Sequence, residues 1–317
     1  MTRQMSRLPA VAALGGGHGL SATLTALRRL TDSLTAIVTV ADDGGSSGRL
    51  REEFGCLPPG DLRMALAALC GDDSEGRLWA DVLQSRFAGH GPLAGHAIGN
   101  LLIAGLWQRL ADPVEGLDMV GQLLGVRGRV LPMSAVPLAI EADVVGLRTD
   151  APDEVMVVRG QAEVAKTTGR VVGLRLRPDR PPAHPDAVAA LQEADFIVLG
   201  PGSWFTSVLV HLLVPELADA IVTSSAERIL VLNLVPEDET AGFSPAAHID
   251  VLAQHAPTLR LDHVIADERF ARLDGHLRTY VESLGAQLHI ARLGMRDGSA
   301  RHDPLLLAAS LAGAMGL

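Results

Sequence analysis

Two adjacent carboxylates, Asp42 and Asp43, stand at the end of an apolar run and open the segment Asp42-Asp43-Gly44-Gly45-Ser46-Ser47-Gly48-Arg49-Leu50-Arg51. Neighbouring carboxylates repel each other unless a cation lies between them. The pair is therefore a candidate site for a hard divalent metal such as Mg²⁺, with Asp61 as a third acidic ligand. The competing reading pairs them with Arg49 or Arg51. Four further glycine-rich segments carry polar groups of the kind that bind anions. Gly15-Gly16-Gly17-His18-Gly19 and Gly200-Pro201-Gly202-Ser203 follow apolar runs, and each precedes a helical pattern. Backbone amides at such a junction form an anion site, and Thr206 and Ser207 add hydroxyl donors. Asp61 and Arg63 follow the turn Pro58-Pro59-Gly60. Asp61 there is also the natural N-cap of a helix over 62–69. Arg63 in a first turn opposes the helix dipole unless an anion binds beside it. His96 and Asn100, four apart at a helix start, share one face. Asn233 ends a strand, and Arg301 provides a guanidinium suited to bidentate phosphate contact.

The elements that must position these groups follow a strand–helix rhythm. Ala10–Leu14, Leu34–Val40, Asp195–Leu199, Arg228–Leu234, Leu261–Ala266 and Ala286–Leu293 are short apolar strands. Helical spacing falls between them, notably over 20–30, 101–110, 185–193, 245–255, 268–284 and 305–315, the last capped by Asp303. Such alternation gives an α/β protein with a mostly parallel, doubly wound sheet. Ligands sit at the carboxyl ends of its strands. The glycine loops after Leu14, Val40 and Leu199 would meet there as walls of one cleft. Over about 128–178 the pattern changes to short alternating runs broken by prolines, as in β-hairpins or edge strands. This is expected to be a small β-rich insertion within one domain spanning 1–317.

Composition limits the partners. The 317 residues are 48% hydrophobic but only 3% aromatic, with a formal net charge of −10 and no basic run. Nucleic acid and anionic membrane surfaces are poor partners for such a chain. No apolar run reaches the ~20 residues of a membrane span. Cys56 and Cys70 form no CxxC pair, which fits a cytoplasmic setting. Leucine-rich helices near the C-terminus make a homodimer the expected assembly. No GxxxxGK[ST] motif occurs. Gly17-x-Gly19-x-x-Ala22 matches the dinucleotide fingerprint formally, so NAD(P) binding is a third reading.

Together, Gly15–Ser21, Val38–Arg51, Pro58–Arg63, Gly95–Leu102, Gly200–Ser207 and Arg301-His302-Asp303 resemble the YvcK family of gluconeogenesis factors, within the CofD-like superfamily. The run Thr35–Arg49 carries most of the resemblance. It implies a Rossmann-like fold, a cytoplasmic protein, and binding of a uridine-diphosphate sugar such as UDP-N-acetylglucosamine. The implied role lies in central carbon use, cell shape and wall synthesis. CofD itself moves a phospholactate moiety from a guanosine diphosphate carrier to a deazaflavin, with magnesium. Three positions and one loop depart from the family pattern: His18 for threonine, Met64 for asparagine, Pro304 for threonine after Arg-His-Asp, and a Leu234–Thr240 loop without its Gln-Pro-Gly core. On the first reading the chain is a nucleotide-sugar-binding regulator with no required acid or base. The diphosphate would lie on Gly15–Gly19 and Gly200–Ser203, with Arg301 and Arg63 neutralising it. Asn233, His96 and Asn100 would contact sugar or base. The alternative is a CofD-type, Mg²⁺-dependent transferase.

Overall fold

The computed structural model describes residues 7–317. Ten strands occur in chain order: β1 (Val11–Gly15), β2 (Leu34–Val38), β3 (Arg129–Pro132), β4 (Ala139–Val145), β5 (Met156–Arg159), β6 (Arg170–Arg177), β7 (Phe196–Leu199), β8 (Glu227–Val231), β9 (His263–Asp267) and β10 (Gln287–Ala291). Seven of them form one sheet in the order β10-β9-β8-β7-β1-β2-β3. Every pairing in it is parallel, with Val11 opposite both Leu34 and Phe196. All five positions of β1 are buried. That is why its sequence is continuously apolar instead of alternating.

The chain runs outward from β1 to β3, returns to β7 beside β1, and then runs outward the other way. The order therefore reverses between β1 and β7, and the crevice of a doubly wound sheet opens at such a reversal. Six helices lie between β1 and β3: α1 (Gly17–Leu27), α2 (Gly45–Phe54), α3 (Pro59–Leu69), α4 (Ser74–Gln84), α5 (Ile98–Trp107) and α6 (Pro113–Leu123). α1 packs on α3 and on the closing helix Pro304–Ala314. Its Leu20, Leu24 and Leu27 join Leu14, Ile37, Val198 and Leu230 in one core. No single helix among the described residues is long and apolar enough to cross a membrane.

Three expectations about elements are corrected. Arg129–Pro132 belongs to the main sheet as its edge strand, so the small antiparallel sheet β5-β4-β6 begins only at Ala139. Within that insertion Gln161–Ala165 is helical, in a stretch whose alternation favours a strand. The helix read over 268–284 is two pieces, Glu268–Ala271 and Leu277–Ser283, because the chain turns through Asp274 and Gly275.

Candidate functional site

α1 begins directly at the end of β1, with Leu20 N–H bonding to the Gly16 carbonyl. No side chain caps α1, α2 or α3, whereas Asp73, Asp112, His184, Ser244 and Asp303 cap helices elsewhere. The positive ends of the first three helices are thus left for other anionic partners. Gly19 meets the loop after β7 face to face. A Cβ at this position would overlap the Pro201 carbonyl. The two glycine loops are consequently in backbone contact at the switch point.

The second loop is held differently from the sequence expectation. Gly202 N–H donates to Asn233 Oδ1 at 2.9 Å, and Asn233 Nδ2 donates to the Gly202 carbonyl at 2.9 Å. Glu239 Oε1 accepts the Ser203 hydroxyl at 2.7 Å and the Phe205 N–H at 3.1 Å. Ser203 and Thr206 share a hydroxyl hydrogen bond of 2.5 Å. Donors expected to face a phosphate are therefore engaged by buried side chains of the β8 loop. Ser203 caps no helix. Beyond it the chain makes a wide turn of π type over Trp204–Val208, then a 3₁₀ turn over Leu209–Leu213. Burial lifts the Glu239 carboxyl to about 7, against the pull of its Ser203 and Phe205 hydrogen bonds.

Between α1 and the loops after β8 and β10 lies a cavity of about 320 Å³. Its walls include His18, Gly19, Gly202, Glu237, Arg301 and His302. Arg301 is exposed and bonds Asp297 at 3.2 Å. His302 is buried, its Nε2 has no partner, and burial lowers its pKa to about 4. It therefore faces the cavity neutral.

On the other side of the Gly15–Gly19 loop is a compact polar cluster. Asp61 is buried, with Oδ2 against Gly16 and no hydrogen-bond partner. Burial and the nearby Asp42 raise its carboxyl to about 7, while the Gly17 amide pulls the other way. Asp61 thus caps no helix; it lies inside the first turn of α3, beside Gly16 and Gly17 at the start of α1. Arg63 is 4% exposed, with Nε unpartnered and its stem against Gly99. Burial, then Arg86, lowers it to about 10. Ser46 gathers the next contacts: His96 Nδ1 at 2.9 Å, Asn100 Nδ2 at 3.0 Å and Ala97 N–H at 3.4 Å. Asn100 Oδ1 remains buried and unpartnered. Burial, then Arg49, lowers the His96 pKa.

The adjacent carboxylates diverge. Asp42 accepts Gly44 N–H at 3.0 Å and lies beside Gly60 and Asp61. Asp43 turns outward to the amides of Gln161 and Ala162. The expected Asp42–Asp43 metal pair is thus split by geometry. Among the described residues no group of three or more His, Cys, Asp or Glu side chains is arranged to hold a metal ion.

A family model described as 2-phospho-L-lactate transferase CofD matches residues 11–292. The chain belongs to the CofD family. Within it, this CofD-family chain is 58% identical over 307 residues to a protein of Mycobacterium tuberculosis named "Putative gluconeogenesis factor", covering 96% of this chain and 89% of that one. It is 36% identical over 307 residues to the gluconeogenesis factor of Listeria monocytogenes, covering 93% and 92%. The crystal structure of a UPF0052-family protein from Bacillus halodurans superposes with a TM-score of 0.84 at 32% identity, covering 97% of this chain and 99% of that one. In this CofD-family fold, Gly19, Gly202, Asn233 and Arg301 line the cavity. Asp42, Asp61, Arg63, His96 and Asn100 form the polar cluster, and Gly16 and Gly17 separate the two groups. Glu237, Glu239, Ser46 and His302 are site residues beyond the sequence candidates. The acidic run Pro236–Thr240 after β8 was the available signal for the glutamates, and Arg301-His302-Asp303 for the histidine.

Proposed function

We propose that this chain is a regulatory protein that binds a nucleotide sugar of the UDP-N-acetylglucosamine type, in the cytoplasm, linking central carbon use to cell-wall synthesis and cell shape. The observation that carries the reading is the cavity at the β1–β7 switch point, where the uncapped N-terminus of α1 meets Arg301. Free amides at a helix N-terminus favour a diphosphate, and a guanidinium adds charge-assisted hydrogen bonds. Because the amides of the second loop are engaged by Asn233 and Glu239, the diphosphate rests on the Gly16–Gly19 side. Glu237 and His302 supply polar contacts for the nucleoside. The gluconeogenesis-factor names of the relatives support the metabolic setting.

The test is calorimetric titration with UDP-N-acetylglucosamine and then GDP, each with Mg²⁺ and with a chelator. Saturable binding of the UDP-sugar under both conditions is expected. No heat up to about 1 mM, where binding free energy has fallen to about 4 kcal/mol, overturns the reading.

One observation favours a second reading, a CofD-type transferase. Asp61 Oδ2 is buried, unpartnered and close to Asp42. Mg²⁺ commonly binds through one or two carboxylates plus substrate phosphates, and Asp42 with Asp61 fits that set while Asp43 does not. The ion would supply charge neutralisation on the diphosphate. Arg63 would balance the two carboxylates, and Ser46 would hold the α2 terminus in place. GDP preference with strict Mg²⁺ dependence in the same titration selects this reading.

A further inference from the structure

The helical segment Gln161–Ala165 of the small insertion has no N-cap side chain of its own, because Gly160 precedes it. Asp43, in the loop after β2, accepts its first amides instead: Gln161 N–H at 3.1 Å and Ala162 N–H at 3.2 Å. Gly160 has φ of 94°, and a Cβ there would overlap the Asp43 carboxylate. Only glycine lets the two approach this closely. On its other side the segment packs against the turns Trp204–Val208 and Asp238–Thr240, which follow β7 and β8. In the sheet, β1 lies between β2 and β7. A segment touching both the β2 loop and the β7 turn therefore crosses the carboxyl end of β1, where the Gly15–Gly19 loop enters α1. Gly16 gives the same span from within, lying between Thr39 and Ser207. Gln161 Oε1 is buried in this position without a hydrogen-bond partner. A buried acceptor left without a donor is destabilising.

We propose that Gln161–Ala165 is a strap across the glycine loop, that Asp43 is its catch, and that Gln161 accepts a hydrogen bond from the group carried on the diphosphate. The ligand part of this proposal rests on the nucleotide-sugar reading; the catch does not. A sugar hydroxyl or an acetamido N–H supplies the donor that Gln161 Oε1 lacks, and a bare nucleoside diphosphate carries no such group there. Asp43 touches no ligand in this arrangement. It is a positioning residue, and its charge suits the positive end of the short helix. The neighbouring carboxylates thus divide their work, Asp42 facing Asp61 and Asp43 holding the insertion.

Two substitutions open the catch from opposite sides, Asp43→Ala and Gly160→Ala. Amide hydrogen exchange of the ligand-free protein is the readout. Local opening is expected to raise exchange about tenfold across 156–177 in both variants and leave 11–15 unchanged. Unchanged exchange across 156–177 in both overturns the catch. Gln161→Met keeps the side-chain length and removes the acceptor. By calorimetry it is expected to bind UDP-N-acetylglucosamine about tenfold more weakly than wild type, equivalent to about 1.4 kcal/mol, with UDP affinity unchanged. An equal effect on both ligands, or none on either, overturns the role of Gln161. Absence of binding by the wild type overturns the nucleotide-sugar reading and the Gln161 contact together, and the exchange result then decides the catch by itself.

Discussion

Asn233 and Gly202 exchange two hydrogen bonds of 2.9 Å, so one side-chain amide replaces a backbone partner and ties the loop after β7 to the end of β8. Asn233→Leu leaves the half-buried Gly202 N–H and carbonyl without their partner. The expected loss of stability is about 1–3 kcal/mol, seen as a lower urea midpoint at an unchanged slope. Ligand affinity falls with it, because the Gly202 wall of the cavity is no longer fixed.

Gly19→Ala places a methyl group on the Pro201 carbonyl, which is backbone and cannot swing aside. A loss of about 1–3 kcal/mol is expected from overpacking, read as a lower melting temperature. Gly105→Ala in α5 is the control. Nothing lies within 4 Å of the added Cβ, and helix propensity favours alanine by about 1 kcal/mol.

Glu239→Gln changes the pH dependence of stability. Burial raises the Glu239 carboxyl from 4.5 to about 7 in the folded protein. The folded state then holds a proton that the unfolded chain has released, so stability is full below about pH 4.5 and is lost as pH rises through 7. Glutamine keeps an acceptor for Ser203 and Phe205 and removes the ionisation. The variant is expected to match wild type near pH 5 and to be more stable at pH 8, by at most about 3 kcal/mol. Thermal unfolding at both pH values checks it.

Ser46→Ala removes the shared partner of His96, Asn100 and the Ala97 amide. Buried polar groups left unpaired cost about 1–3 kcal/mol, so the urea midpoint is expected to fall. Faster amide exchange at the N-termini of α2 and α5 should accompany the loss.

Arg301→Gln separates binding from folding. Its side chain is exposed and its one carboxylate partner is Asp297, an ion pair worth about 0–1 kcal/mol at the surface. Stability is expected to stay near wild type. Affinity for UDP-N-acetylglucosamine is expected to fall about tenfold by calorimetry, since a charge-assisted contact is lost.

The doubly wound sheet and the place of its crevice are legible in the order of residues alone. Val11–Gly15, Leu34–Val38 and Phe196–Leu199 are short apolar runs that end in glycine-rich or acidic turns, and burial on both faces is what makes them continuously apolar. Asp303 was legible as a cap, and it accepts the Leu305 and Leu306 amides. Both are properties of neighbouring residues. Which polar group answers which is set by the packing of distant elements. Asp43 meets an amide 118 positions away, Asn233 a peptide 31 away and Ser46 an amide side chain 54 away. Periodicity reports which face of an element is buried, but it carries no record of the partner brought there by a distant strand. Asp61 belonged to its own helix in the sequence and belongs to Gly16 and Gly17 in the fold, because α3 packs against α1.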